Sequence, residues 1–150
     1  MISAIMAFLH HLAAFTLTAA VIYELVTFRK DLSLAEARKI QRMDILYGIS
    51  AGVLVIVGLL RVFYYEKGAA FYAQNWFFWL KMAGFALAAL LSAYPTVRFI
   101  LWRKPLAANQ VPQLTDQEAS RIKMILRLEM LAIGLILFAA AMMARGVGMR

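Results

Sequence analysis

Long apolar stretches, separated by shorter polar and basic segments, dominate the sequence. They run over residues 3–28, 45–64, 76–101 and 124–144, and each provides the ~20 helical residues that cross a hydrocarbon core of ~30 Å. Membrane-spanning strands would alternate polar and apolar residues, which these stretches do not do. The pattern therefore predicts an all-α, polytopic membrane four-helix bundle in which residues 1–150 form a single transmembrane domain.

The composition agrees with this prediction and narrows the chemistry. Hydrophobic residues make up 64% of the chain and charged residues 16%, against roughly 45–50% apolar residues in soluble domains. The absence of cysteine excludes disulfides, thiolate metal sites and thiol nucleophiles. Two histidines without cysteine cannot close a tetrahedral zinc or copper site unaided. Chemistry must come from His, Lys, Arg, carboxylates or a cofactor.

The basic residues predict the orientation in the membrane. Eleven of the sixteen lie in or beside the first and third connections, and five lie on the opposite side, namely Arg61, Lys67, Lys81, Arg145 and Arg150. The positive-inside rule then places both large connections in the cytoplasm and both termini outside, in a bacterial-type inner membrane. We attribute the net charge of +8 to topology and attraction to anionic membrane lipid, and expect no nucleic-acid partner.

The two halves of the chain resemble each other. Residues 8–20 (FLHHLAAFTLTAA) match residues 78–90 (FWLKMAGFALAAL) at an offset of 70, which places His11 on Lys81. Residues 32–40 match residues 114–122 at an offset of 82. Because an even number of crossings separates the copies, we expect two parallel helical-hairpin repeats related by a pseudo-twofold axis along the membrane normal.

Both copies of the second matching segment, residues 32–40 and 114–122, contain a capping box. Ser33 with Glu36, and Thr115 with Glu118, have the Ser/Thr-x-x-Glu spacing that satisfies the first free N–H groups of a helix. The sequence therefore predicts that a helix begins at each box and continues into the following span.

Basic residues in the outer half of the spans form one candidate site: His10, His11, Arg61, Lys81 and Arg145. His11 shares a helical face with Thr18, and Lys81 shares one with Gly84, so each heads a stripe of small residues. Such stripes allow close helix packing or leave room for a flat ligand. Snorkelling of Lys81 and a hydrogen bond of His11 at the interface are the alternative to a cationic pocket for an anionic flat ligand.

Charged residues in the inner half form a second set: Glu24, Asp44, Arg127 and Glu129, with Arg29 and Arg42 at its edge. We expect these carboxylates and arginines to neutralise one another inside the bundle. The alternative is a proton relay or ion site built from Glu24 and Asp44, with His10 on the same face as Glu24. Gly48 and Gly52 form a GxxxG pair that we expect to pack within the bundle, or else against a second subunit.

A histidine in the outer part of the first span and the sequence Trp79-Leu80-Lys81 at the start of the third carry a family resemblance. The chain resembles the HemJ-type protoporphyrinogen oxidases and the CopD-like copper-resistance proteins, a group that includes several predicted membrane families. The resemblance covers spans one to three and, more loosely, span four. It implies haem b bound by His11 or His10, with Lys81 as opposing ligand or catalytic proton donor and Arg61 as carboxylate partner.

Three functional hypotheses follow. The first is a haem b or tetrapyrrole protein with a redox role, either porphyrinogen oxidation or electron transfer with a quinone, which would make it an oxidoreductase. The second is a carrier of a small solute, protons or ions that uses Glu24 and Asp44. The third is a non-catalytic membrane assembly factor, or a homo-oligomer, that docks through Gly48 and Gly52.

Overall fold

Four long helices form the molecule, and a computed structural model describes residues 1–149 of it. The helices are α1 (Ile2–Thr27), α2 (Leu34–Leu60), the short α3 (Ala69–Ala73), α4 (Trp76–Leu101), the short α5 (Arg103–Ala107) and α6 (Asp116–Ala144), and α2 continues into a π-helical turn (Arg61–Tyr65). The four long helices are long and apolar enough to cross a membrane, so the prediction of an all-α membrane bundle is confirmed. Arg150, which we count on the predicted outer side, lies outside the described residues.

Both predicted capping boxes are present and fix where α2 and α6 begin. The Ser33 hydroxyl accepts a hydrogen bond from the Glu36 N–H, and the Glu36 carboxylate accepts one from the Ser33 N–H. Thr115 and Glu118 make the same pair of bonds. Because each box follows an intramembrane helix and a turn, residues 28–33 and 102–115 meet at one end of the bundle, which we call the loop end. Both termini and residues 61–75 lie at the other, the terminal end.

The helices are arranged as two hairpins around a pseudo-twofold axis. Helix α1 packs most extensively on α2, and α4 packs most extensively on α6. The hairpins meet where α1 contacts α6 and where α2 contacts α4. The backbones of α1 and α4 do not approach each other within residues 1–149, so these helices lie on a diagonal of the bundle. This is the arrangement expected for parallel repeats with their axis along the membrane normal.

The buried positions of the second helices repeat at the predicted offset of 82. In α2 they include Ile40, Asp44, Tyr47, Ser50 and Val57, and in α6 they include Ile122, Leu126, Glu129, Ala132 and Ala139. Each residue of the first group matches the residue of the second in the same order. The two helices therefore present equivalent faces to the interior.

The buried positions of the first helices repeat at 71 residues, and the predicted offset of 70 is wrong by one. Buried Ala13, Leu17, Glu24 and Phe28 of α1 correspond to buried Gly84, Ala88, Pro95 and Phe99 of α4. Sequences rich in Ala and Leu match by identity at more than one offset, whereas a shift of one residue rotates a helix by about 100°. His10, and not His11, is consequently the equivalent of Lys81.

Apolar side chains form two layers in the interior. The loop-end layer consists of Phe28, Leu32, Ala37, Ile40, Phe99, Trp102, Leu106, Ile122 and Leu126. The middle layer consists of Leu17, Ala20, Val21, Tyr47 and Ile133. In the loop-end layer the rings of Phe99 and Trp102 meet edge to face with centroids 4.7 Å apart, which adds specific aromatic contact to the burial.

Polar bonds join the hairpins at the loop end. The Lys30 ammonium donates to the Asp116 carboxylate at 2.7 Å, and this hydrogen bond raises the pKa of Lys30. The Gln41 amide donates to the Phe99 carbonyl at 2.8 Å. A further ion pair links Arg98 to Glu118 within the second hairpin. The loop end is thus fixed by directed bonds as well as by its apolar layer.

Candidate functional site

Three carboxyl groups from three helices converge in the interior. Glu24 of α1, Asp44 of α2 and Glu129 of α6 are 2%, 5% and 2% exposed. Together with Tyr47, Ser92, Pro95 and Thr96, they line a narrow cavity that has no room for a water molecule. Because the lining residues come from both hairpins, the cavity lies at the interface between the repeats. We call Glu24, Asp44 and Glu129 the carboxyl triad.

The triad is incompletely hydrogen-bonded. One oxygen of Asp44 accepts a hydrogen bond of 2.7 Å from the Thr96 hydroxyl, which joins α2 to α4 across the hairpin interface. Glu24 Oε1 and Glu129 Oε1 are buried and have no hydrogen-bond partner in the described part of the chain. Leaving a buried polar atom unbonded costs roughly 1–3 kcal/mol. Two of the three carboxyl groups are therefore held in an unfavourable environment.

The predicted neutralisation of these carboxylates by arginines is wrong. The ion pairs found among residues 1–149 join other groups: Arg29 to Glu36, Lys30 to Asp116, Arg61 to Glu66 and Arg98 to Glu118. Arg42 and Arg127 are exposed. Each stands two positions before its acidic neighbour, Asp44 or Glu129, and two positions are about 200° of rotation on a helix. The arginines share the depth of the carboxylates but face away from them.

Apolar layers close the triad on both sides. On each of its three helices the carboxylate stands about one turn from a residue of either layer: Glu24 between Val21 and Phe28, Asp44 between Ile40 and Tyr47, and Glu129 between Leu126 and Ile133. The loop-end layer separates the cavity from the loop end, and the middle layer separates it from the terminal end. The site is therefore occluded along the bundle axis.

This geometry limits what the triad can bind. Three negative charges cannot share a closed, low-dielectric space without counter-charge, so protons or a cation must neutralise them. The cavity has no room for a water molecule, whereas small-molecule sites have volumes of roughly 300–1,000 Å³. Across the described residues, no group of three or more His, Asp or Glu side chains has the arrangement of a metal site. The triad is suited to protons.

The basic residues of the predicted outer site are partly assembled at the terminal end. His10 is half-buried, and Lys81 and Arg61 are its charged neighbours. His11 is exposed, with Nδ1 2.7 Å from the Ala7 carbonyl oxygen of its own helix. The expectation that His11 faces inward is wrong, because the repeat offset of 71 places His10 on the buried face. We call His10, Arg61 and Lys81 the basic cluster.

Arg61 has one acidic partner in this cluster. Its Nη2 donates to the Glu66 carboxylate at 2.6 Å, and the Tyr72 hydroxyl donates to the other Glu66 oxygen at 3.4 Å. Burial raises the pKa of Tyr72, so that hydroxyl keeps its proton. Arg61 Nε and His10 Nδ1 are buried and without hydrogen-bond partners over residues 1–149. Arg145, at the end of α6, is exposed.

The small residues of the predicted stripes serve helix packing. A Cβ atom on Gly84 would lie 2.9 Å from Ile136 Cγ1, so α6 already fills the space beside this glycine. The Thr18 hydroxyl donates to the Ala14 carbonyl of its own helix at 2.8 Å. At Gly84 the small residue therefore allows close helix packing, and no room is left there for a flat ligand.

Gly48 and Gly52 lie on the outward face of α2. Both are exposed, and a Cβ atom on either would meet nothing within 4 Å among the described residues. The expectation that this pair packs within the bundle is wrong. Contact with a second copy or another protein through this face stays a prediction.

The sequence did not single out several residues of the triad cavity. Glu129 belongs to the predicted inner set of charged residues but is not among the predicted site residues. Tyr47, Ser92 and Thr96 do not belong to that inner set. One signal was present: Tyr47 and Glu129 stand 82 positions apart, at equivalent places in the two hairpins. Tyr47 follows Asp44 by about one helical turn. Glu129, as the equivalent of Tyr47, is therefore expected within about one turn of the level of Asp44 in the bundle.

The four apolar helices agree with the one family relationship that is found. The family model described as predicted membrane protein, DUF2214, matches residues 2–148. No curated protein and no solved structure matches the chain. The match bears out a predicted membrane family but does not extend to the HemJ-type or CopD-like proteins. Because it covers nearly the whole chain, the chain belongs to the DUF2214 family of predicted membrane proteins.

Proposed function

We propose that this protein is a membrane proton carrier that binds protons at the carboxyl triad. The observation that carries the proposal is the convergence of Glu24, Asp44 and Glu129 on one closed cavity, with unbonded oxygens and no cation beside them among residues 1–149. Groups of this kind exchange protons when a change of conformation gives them access to water.

The cost of the triad argues for a role beyond stability. A carboxyl group buried in a membrane bundle costs free energy, and apolar residues would fill the same space without this cost. In carriers built from repeats, the bound ion lies at the repeat interface and one repeat rocks against the other. Here each hairpin is internally more closely packed than the two hairpins are to each other. That difference supports hairpin rocking as the motion that opens the occluded site.

The proposed direction follows from the charge distribution. With the loop end in the cytoplasm of a bacterial-type inner membrane, as the positive-inside rule predicts, the triad lies in the cytoplasmic half of the bundle. An inward proton gradient would load it from the terminal end and release protons toward the loop end. In the corresponding hypothesis for a small-solute carrier, this proton flux drives the movement of the solute across the membrane.

Proton flux in proteoliposomes tests the proposal. Vesicles with an internal pH-sensitive dye are given a potassium diffusion potential, and wild-type protein should change the internal pH faster than protein-free vesicles do. Glu24→Gln and Glu129→Gln should each reduce this rate about tenfold or more, because an amide of the same shape carries no titratable proton. The matched control is Asp31→Asn, an exposed carboxylate. Wild-type flux equal to that of empty vesicles contradicts the proposal.

The basic cluster supports a second candidate, binding of haem b or another tetrapyrrole at the terminal end. The observation that favours it is His10, whose Nδ1 is buried and unbonded over the described residues, with Lys81 and Arg61 as neighbours. These donors fit such a group: His10 would supply an imidazole ligand, Lys81 the opposing ligand or a proton, and Arg61 a partner for a propionate. When bound, haem supplies reversible one-electron chemistry, which suits porphyrinogen oxidation or exchange with a quinone.

The adjacent histidines provide a matched pair of variants for this candidate. Protein produced with ample haem should show Soret absorption that is lost in His10→Ala and retained in His11→Ala, because only His10 faces the bundle. A wild-type protein without Soret absorption, or equal absorption in both variants, contradicts it. Proton flux is measured without haem, so the two candidates fail or succeed independently.

A further inference from the structure

The basic cluster carries more positive charge than its surroundings neutralise. Lys81 is half-buried, and within residues 1–149 no carboxylate stands within ion-pair distance of it. The positive charge of Arg61 acts on Lys81, and Glu66 is the acidic partner of Arg61. These two basic side chains therefore share one acidic partner, with the His10 imidazole close by. A partly buried excess charge of this kind is stabilised by a bound anion.

The cluster also has unused hydrogen-bond donors. A guanidinium group has five N–H donors and an ammonium group has three. One bond of Arg61 goes to Glu66 at 2.6 Å, while its buried Nε has no partner in the part of the chain that is described. Donors of this type bind the oxygens of phosphate and carboxylate groups most strongly. The cluster can therefore hold a group with several charged oxygens.

Three separate elements bring the donors together. His10 comes from α1, Lys81 from α4 and Arg61 from the π-helical turn that ends α2. Because α1 and α4 lie on a diagonal, the cluster crosses the bundle at the terminal end. The π-helical turn keeps Arg61 at the terminal end, where α2 ends and the other two basic side chains also lie.

The depth of the cluster indicates where such an anion would come from. Lys81 stands five residues, about 7.5 Å, into α4. Aromatic side chains around this level are exposed on the bundle surface, namely Phe63, Tyr64, Trp76 and Trp79. Exposed tryptophan and tyrosine rings of this kind lie at the headgroup region of a bilayer. The cluster is thus at the level of lipid phosphates.

We infer that the basic cluster binds one phosphate group, with Lys81 and Arg61 as its principal donors and His10 as a third. Glu66 competes with the phosphate for Arg61. The same chemistry is offered by the headgroup of an anionic phospholipid and by free inorganic phosphate. The inference rests on neither proposed function, since it involves no proton transport and no tetrapyrrole.

Lipid retention by the purified full-length protein tests the inference. The protein in a neutral detergent is mixed with phosphatidylglycerol or phosphatidylcholine, and bound lipid is counted by native mass spectrometry. Wild type should retain phosphatidylglycerol about tenfold better than phosphatidylcholine, and Lys81→Gln and Arg61→Gln should each lose about tenfold of this retention. Lys81→Arg keeps the positive charge and should retain phosphatidylglycerol as well as wild type does. The control is Lys67→Gln, a cation at the same end that lies over the Phe71 ring at 4.5 Å.

Two further measurements identify the source and the competitor. Displacement of phosphatidylglycerol by millimolar inorganic phosphate supports the inference with free phosphate as the ligand, and retention in its presence supports it with the lipid headgroup. Glu66→Gln should raise retention, because it releases Arg61. Equal retention by wild type, Lys81→Gln and Arg61→Gln, or equal retention of the two lipids by wild type, would overturn the inference.

Discussion

His10 and Lys81 occupy equivalent places in the two halves of the molecule, 71 residues apart, and the charge of Lys81 acts on His10 although the backbones of α1 and α4 stay apart within the described chain. This basic pair lies at the terminal end, whereas the carboxyl triad lies toward the loop end. Along α1, His10 and Glu24 are fourteen residues apart, or about 21 Å. The middle apolar layer separates them. The interior is therefore positive at one end and acidic in the other half.

Replacement of a triad carboxyl by its amide should stabilise the protein while it removes proton flux. Glu129→Gln keeps the shape of the side chain and adds N–H donors that the neighbouring carboxylates can accept. We expect the Tm in detergent to rise by about 2–4 °C, which corresponds to about 1 kcal/mol for a chain of this size. Glu118→Gln, which removes the ion pair with Arg98 and a negative charge from the first turn of α6, should instead lower the Tm. A larger loss in Glu129→Gln than in Glu118→Gln would show that the triad is a structural element.

The Thr96 hydroxyl should contribute to stability through Asp44. Thr96→Val keeps the side-chain shape but leaves a buried carboxyl oxygen without its donor, so we expect a loss of about 1–3 kcal/mol in the free energy of unfolding. Thr18→Val is the matched control, because the Thr18 hydroxyl bonds only to the Ala14 carbonyl of its own helix. Chemical denaturation of both variants in detergent measures the difference. If both variants lose the same free energy of unfolding, the hydrogen bond from Thr96 to Asp44 contributes no more than a bond within one helix.

Gly84 should be the glycine of the spans least tolerant of a side chain. In Gly84→Ala the new methyl group would press on Ile136, and overpacking of this kind costs about 1–3 kcal/mol. Gly48→Ala adds the same group where nothing lies within 4 Å among the described residues, so stability should not fall. Thermal unfolding of the two variants provides the comparison. Combined with Ile136→Ala, Gly84→Ala should cost less than it does alone, so the double variant should lose less than the sum of the two single losses, and strict additivity would locate the strain elsewhere.

The orientation can be measured directly because the natural chain has no cysteine. Gln110 at the loop end and Lys67 at the terminal end are exposed, so a single cysteine can be introduced at either position. In intact cells, a membrane-impermeant maleimide should label Lys67→Cys and not Gln110→Cys, which should react after the membrane is opened. The positive-inside rule is the physical basis of this expectation. The opposite labelling pattern would invert the proposed direction of proton flux.

The sequence predicted what depends on local chemistry and on length. The capping boxes at Ser33 and Thr115 were readable because their hydrogen bonds join residues three positions apart. The four spans were readable because a bilayer demands about 20 apolar helical residues. The offset between α2 and α6 was also correct, since it was anchored on those boxes.

Helix rotation was much harder to predict. In a soluble helix the polar side marks the surface, but the outward side of a membrane helix is as apolar as its buried side. The alignment by identity at an offset of 70 therefore points to His11, one residue away from His10, which faces the bundle. The same difficulty placed Arg127 beside Glu129, although two positions on a helix point to nearly opposite sides. Only the packed structure resolves such choices.

Pro95 takes the place in the second half that Glu24 takes in the first, and both line the triad cavity. A proline has no N–H to offer the carbonyl one turn earlier, so α4 lacks one bond of its ladder at the level of the carboxyl groups. Bending is cheapest where that bond is missing. The two halves thus differ in role at this level: one supplies an ionisable side chain, and the other supplies a helix that lacks one backbone hydrogen bond beside it.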